Sequence, residues 1–240
     1  ELFVQFLHRI MLELPKSTLA MFSTLKYVNA PNFAEFRKRW TAEYLDGFVV
    51  HSKAFDGLKG NFPIGFLVWN LANRIPADAV QTIALDRAGK VVGEKVFYRN
   101  LPRKPLAEWI VRPRSNKQDA VPLKNGLTPT TSTKDVRGSK WADGAIGSMI
   151  AFGNDLQHAA TTGLLSSGYG NAGAFFVTAD NLWQAAIIFC VRRLIKPTWL
   201  NDRDQFLQPS KPLTDEFKAD CLIWMLFNGS NLSAGADGLR

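Results

Sequence analysis

The chain of 240 residues is 46% hydrophobic and 21% charged, the balance of a soluble globular protein and not of a disordered, collagenous or coiled-coil one. Its longest apolar runs, such as Ala185 to Val191 and Leu222 to Phe227, fall far short of the roughly 20 residues that cross a bilayer, so no membrane partner is expected. The two cysteines, Cys190 and Cys221, each sit inside an apolar stretch; they read as buried thiols of a reducing, cytoplasmic setting rather than as a disulfide framework.

Lys and Arg outnumber Asp and Glu by 29 to 21, for a net charge of +8, and the excess is unevenly placed. Residues 1–75 carry +3, residues 76–140 carry +7 (thirteen basic against six acidic), and residues 141–240 carry −2. A positive field of that kind attracts polyanions through phosphate contacts and counterion release, although a merely solvated basic surface has the same composition.

Taken in chain order, apolar residues at 2, 3, 6, 7, 10 and 14 form the stripe of an amphipathic helix that Pro15 ends. No initiator Met, basic leader or cap precedes it, so the chain reads as a piece of a longer one. Thr18–Leu25 has the composition of a buried strand of parallel type, and Pro31 suits the first position of a helix running to Trp40. Phe48–Val50 and Phe62–Asn70, joined by the glycine-bearing loop 53–61, predict a hairpin at a sheet edge, with Pro63 tolerated at a strand start. Val80–Asp86 and Val91–Tyr98 predict a second hairpin turning at Gly89.

From Arg99 to Lys117, six basic residues face one acid, Glu108, with Trp109 among them: either a solvated loop or a surface that tracks a phosphate backbone and offers a ring for stacking. Residues 115–140 are polar and read as a connection. Asp180–Ile195 predicts a helix that is apolar nearly all round, hence central, with Arg192 and Arg193 placed to favour its carbonyl end. Thr214–Phe227 predicts another, with acids in its first turn and Gly229 just beyond.

His8, His51 and His158 are far apart and lack Cys or His partners at ligand spacing, so no metal site is expected. Gly168–Gly173 matches G-x-G-x-x-G, but a strand follows it where phosphate binding needs a helix N-terminus, which favours a glycine-rich turn. Asp202 and Asp204, with Arg203 between them, read as a salt-bridged loop more readily than as a paired-carboxylate site.

The stretch from Phe48 to Asn70, preceded by helix, strand and helix, resembles the second half of the catalytic domain of DNA adenine methyltransferases from restriction and modification systems, the type I and type IIG branch. The resemblance covers roughly residues 1–75. It implies a partial Rossmann-like α/β sheet that ends in an antiparallel hairpin; the residues beyond it read as a basic β-hairpin insertion and loop over 76–140 and a mainly helical region over 141–240, with only a general similarity to the insertions and target-recognition regions of that family. It also implies an aromatic residue in the hairpin loop that stacks on a flipped adenine. Phe55 matches that position best and Phe62 second, although a phenylalanine in such a loop also serves as core.

Arg99, Arg103, Lys104, Arg112 and Arg114 would contact phosphates of double-stranded DNA, with a specificity or nuclease subunit as a further partner. The family's F-x-G-x-G and its N-P-P-Y or D-P-P-Y are absent, so the S-adenosylmethionine site and the groups that hold the adenine amine are expected upstream, and no residue here is assigned to catalysis. The alternative is a non-catalytic nucleic-acid-binding or assembly module.

Overall fold

The computed structural model describes residues 2–120, 123, 139–165, 168 and 173–229. The chain is mixed α/β and divides into two compact units. The first runs to Pro102 and also takes in Pro197–Asp204; the second comprises Arg103–Lys196 and the residues from Gln205 onward.

In the first unit, α1 (Leu2–Glu13) buries Leu7 and Met11, while Leu2, Phe3 and Phe6 stay exposed, so its core face is narrower than the apolar stripe suggests. Strand β1 (Thr18–Thr24) follows, then the short α2 (Lys26–Asn29), a 3₁₀ turn opened by Pro31, and α3 (Ala34–Arg39). Four strands complete the sheet: β2 (Glu43–His51), β3 (Pro63–Asn70), β4 (Ala79–Leu85) and β5 (Val91–Tyr98). The turn between β4 and β5 needs a left-handed residue, and Gly89 supplies it at φ +80°.

The sheet order is β1-β3-β2-β4-β5. The hairpin of β2 and β3 forms as expected, but it is not at an edge, because β3 also pairs antiparallel with β1 over seven residues from Thr18↔Asn70 to Thr24↔Ile64. Pro63 is the first residue of β3 and faces only His51, where a missing N–H costs least. Among the described residues the strand 18–24 therefore has no parallel neighbour, although it points the same way as β2.

Strands β4 and β5 join this sheet instead of forming a separate insertion, through the parallel register Phe48↔Ile83. Their inward side chains Val80, Ala84 and Phe97 explain why: alternate residues of an amphipathic strand need a core, and they share the one formed by Val49, Leu67 and Trp69 under Leu25, Tyr27, Phe33 and Trp40. The opposite face carries a cross-strand row of Phe22, Phe66, Phe48 and Ile83, whose ends are 51% and 44% exposed.

Residues 197–204 return to this unit although they lie a hundred positions away. Trp199 packs 5.2 Å from the His51 ring, the Asn29 amide donates to the Arg203 carbonyl, and Lys95 pairs with Asp204.

The second unit is less helical than its composition suggests. Strand β6 (Ala145–Ile150) pairs antiparallel with both β7 (Gly163–Leu165) and β8 (Ala174–Thr178). Behind them lie α4 (Leu182–Leu194) and α5 (Asp215–Asn228). Ala185–Cys190 is buried throughout, as expected of a central helix, and Thr214 caps α5 by accepting from the Phe217 amide. Gly173, at φ +85°, sits just before β8, whereas residues 169–172 of the glycine-rich run lie outside the described residues.

Cys190 and Cys221 are both buried and free, with the Cys190 thiol donating to the Cys221 carbonyl at 3.2 Å. Burial pushes the Cys190 thiol up to about 12, and the Tyr27 phenol of the first unit up to about 12 as well. The folded protein thus keeps protons that the unfolded chain has already released. Stability from these groups is complete below the ordinary thiol value of 9.0 and is lost as pH rises toward 12.

A thiol reagent at neutral pH is expected to leave both cysteines unmodified until denaturant is added, and the unfolding midpoint is expected to drop between pH 9 and 11. Rapid labelling of the folded chain, or a flat alkaline profile, would contradict this burial.

Candidate nucleic-acid interface

The loop that joins β2 to β3 is tied down by its own polar residues. Ser52 is fully buried; its Oγ donates to the Gly60 carbonyl at 2.7 Å and accepts from the Phe62 amide at 3.4 Å. His51 Nδ1 accepts the Lys53 amide at 3.0 Å, which leaves the proton on Nε2 to be donated to Asn61 Oδ1 at 2.8 Å. A Ser-x₇-Gly closure of this kind fixes the loop without secondary structure.

Within it, Phe55 is half-buried and meets Phe22 edge to face at 5.3 Å, so the ring rests on the open aromatic row of the sheet. Phe62 is also half-buried and lies over Gly60, where a Cβ would fall 2.0 Å from its ring. Lys53 and Lys59 of the same loop are exposed, and single lysines in a polar loop carry no sequence signal of their own.

The five basic candidates separate into two groups. Arg99 lies in the first unit and is 4% exposed; it donates to the carbonyls of Ala77 at 3.0 Å and Trp40 at 2.8 Å, with its guanidinium 5.4 Å from the Trp69 ring. Every side of that group is occupied by its own core, so Arg99 is a structural residue and drops out of the interface. Its place at the end of β5 explains this, since the next inward position after Phe97 is Arg99 itself.

The other four share the second unit. Arg103 and Lys104 are exposed, and Arg103 Nη1 donates to the Gln208 carbonyl at 2.9 Å. Arg114 is exposed and donates to the Ala174 carbonyl at 2.7 Å. Arg112 is half-buried over Phe175 at 5.0 Å, and that burial, together with the neighbouring Arg114, draws its pKa below the ordinary value. A guanidinium has five N–H donors, so one or two backbone bonds pin each arginine while leaving donors for a phosphate.

Asp204 is engaged by Lys95 and Asp202 by Arg203 at 3.4 Å, so the two carboxylates form no acid–base pair. Among the described residues, no group of three His, Cys, Asp or Glu side chains gathers as metal ligands.

S-adenosylmethionine would need a backbone cradle where a strand feeds a helix. Among the described residues, a strand feeds an α-helix at Thr24-Leu25-Lys26 and at Thr178-Ala179-Asp180-Asn181, and neither junction contains glycine. These two junctions do not fit that cofactor.

A residue that the periodicity hid is Trp183. On a helix that reads as apolar all round it would be core, yet it is 41% exposed in the first turn of α4.

No family model, curated protein or solved structure matches this chain.

Proposed function

We propose that this chain is the DNA-engaging part of an adenine-specific DNA methyltransferase of a restriction and modification system, working in the cytoplasm beside a specificity or nuclease subunit. One observation carries the reading: β1 and β2 point the same way with β3 set antiparallel between them, and the loop from β2 to β3 is ordered and holds an aromatic ring. Among the described residues the sheet as a whole is mixed, with β2 and β4 its one parallel pair, and what supports the reading is the antiparallel strand set between two that point the same way, as in the closing hairpin the resemblance implies.

In this reading Phe55 stacks on the extruded adenine, recovering part of the few kcal/mol that unstacking costs. Arg103, Lys104, Arg112 and Arg114 hold phosphates and set register without reading sequence. The residues that bind S-adenosylmethionine and grip the adenine amine belong to sequence upstream of these 240 residues, and no step of methyl transfer is assigned to this chain.

The second reading is a non-catalytic nucleic-acid-binding or assembly module without transferase ancestry, which the basic segment Arg103–Lys117 serves equally well. The parent reading frame separates the two: F-x-G-x-G followed by N-P-P-Y upstream supports the first, and their absence supports the second. The first reading and the nucleic-acid-binding form of the second require binding to nucleic acid, and a DNA duplex is the probe. A labelled 30-base-pair duplex is expected to bind with a Kd on the order of 10⁻⁶ to 10⁻⁴ M near physiological salt, and no binding at low salt would overturn the DNA reading and leave an assembly role.

A further inference from the structure

We propose that a cleft in the second unit receives an unpaired nucleobase of single-stranded nucleic acid, an inference that rests on the nucleic-acid reading above and deepens it. The cleft has a volume of about 630 Å³, and its apolar lining includes Trp109, Trp183 and Ile187. That volume lies within the range of ordinary ligand sites and suits one nucleotide rather than a duplex.

Trp183 supplies the stacking surface. Its exposure is unusual beside a helix whose next six residues, Ala185–Cys190 after Gln184, are all buried. An indole face left in water is a large apolar area ready to be covered, and every base has a π face to cover it. Gln184 and Asp180 line the same cleft and can meet the polar edge of a base, the carboxylate accepting from an exocyclic amine.

The charged side chains that line the cleft are Lys211, Lys218 and Asp180, with Lys218 also paired to Asp215 at 2.8 Å, and Trp109 enters from the segment Arg103–Lys117, where five basic residues stand against Glu108 alone. The backbone ties this segment to both walls. Pro105 bridges Leu207, the Gln208 amide donates to the Lys104 carbonyl at 2.9 Å, and the wall Pro209–Leu213 follows directly. On the other side the Asn181 amide donates to the Val111 carbonyl at 3.0 Å, joining the residue before Arg112 to the start of α4. A neutral sugar or a proline-rich peptide would also stack on indoles, but neither gains from the cations of Lys211 and Lys218 in the lining. A base carried on a phosphate chain gains from both.

The test uses the full chain, an unlabelled ten-nucleotide oligo-dA read by tryptophan fluorescence, and a duplex read by anisotropy. Oligo-dA is expected to quench tryptophan emission. Trp183→Ala is expected to weaken oligo-dA binding by about tenfold while duplex affinity stays within about twofold, and Trp183→Phe is expected to restore most of the loss. Circular dichroism confirms that the variants fold.

Duplex binding with oligo-dA affinity indifferent to Trp183→Ala would overturn the cleft assignment and leave the DNA reading standing. Failure of both DNAs to bind would overturn the two together. Quenching by a proline-rich peptide or a neutral oligosaccharide but not by oligo-dA would assign the cleft to that ligand and overturn the proposal.

Discussion

Arg192→Met is expected to lower the stability of the second unit by about 3–5 kcal/mol, among the largest effects of any single change there. Arg192 is 3% exposed and spreads its donors over the carbonyls of Phe152, Gly153 and His158 and over Thr162 Oγ1. The guanidinium also lies 5.4 Å from the Phe206 ring. Methionine keeps the apolar stem but leaves those acceptors without donors, Thr162 Oγ1 in a buried position and the three carbonyls in part-buried ones. Burial brings the Arg192 pKa down to about 10, so the group remains charged at neutral pH and the fork is intact. Arg192→Lys should recover only part of the loss, because a point charge cannot reach four acceptors that a planar fork can. Urea unfolding followed by circular dichroism measures it; a loss under about 1 kcal/mol would mean the network contributes little.

The second large effect belongs to the first unit. Trp69→Ala is expected to cost about 3–5 kcal/mol, by lost burial and by the cavity left behind. Trp69 is fully buried, donates from Nε1 to the Tyr27 hydroxyl at 3.2 Å, and meets Trp40 at 5.7 Å and Tyr44 at 5.4 Å, both edge to face. Its removal also strips Arg99 of the ring beneath its guanidinium. Trp69→Phe should fall between, since a phenyl ring fills part of the space but cannot donate to Tyr27. A thermal midpoint unchanged by Trp69→Ala would show that the sheet is not held by this cluster.

Much of the element order is legible in the sequence, for reasons that are local. Pro15, Pro31 and Pro197 and the cap at Thr214 punctuate the helices, and the alternation in 79–85 and the turn at Gly89 mark the β4–β5 hairpin. Strand partners are not local. Nothing in Thr18–Thr24 says that it mates with a strand some fifty residues later and antiparallel, and a period of two is the same at an edge as in the middle of a sheet. Strand β6, Ala-Ile-Gly-Ser-Met-Ile, is half small residues and lacks a β-branched run, so the C-terminal third reads as helical without it.

The functional candidates divide the same way. Composition marks a basic segment but cannot distinguish Arg99, turned into a core beside Trp69, from Arg103 and Lys104 in the open. The dipole argument places Arg192 and Arg193 at a helix end without showing that one of the two is the hub of a buried network. Periodicity likewise hides an exposed Trp183 because it counts apolar positions and not the walls that cover them.

The most direct measurement of DNA engagement by the second unit's basic residues is the slope of log affinity against log salt for a duplex. Each phosphate contact contributes about 0.9 to that slope, so Arg103→Ala with Lys104→Ala should flatten it by about 1.8 and weaken binding alike across sequences. Arg112→Ala with Arg114→Ala should flatten it by a similar amount. Arg99→Ala should lower the stability of the first unit and leave the slope unchanged. Equal slopes for the parent chain and both double variants would contradict phosphate tracking by this segment and reduce it to a solvated surface.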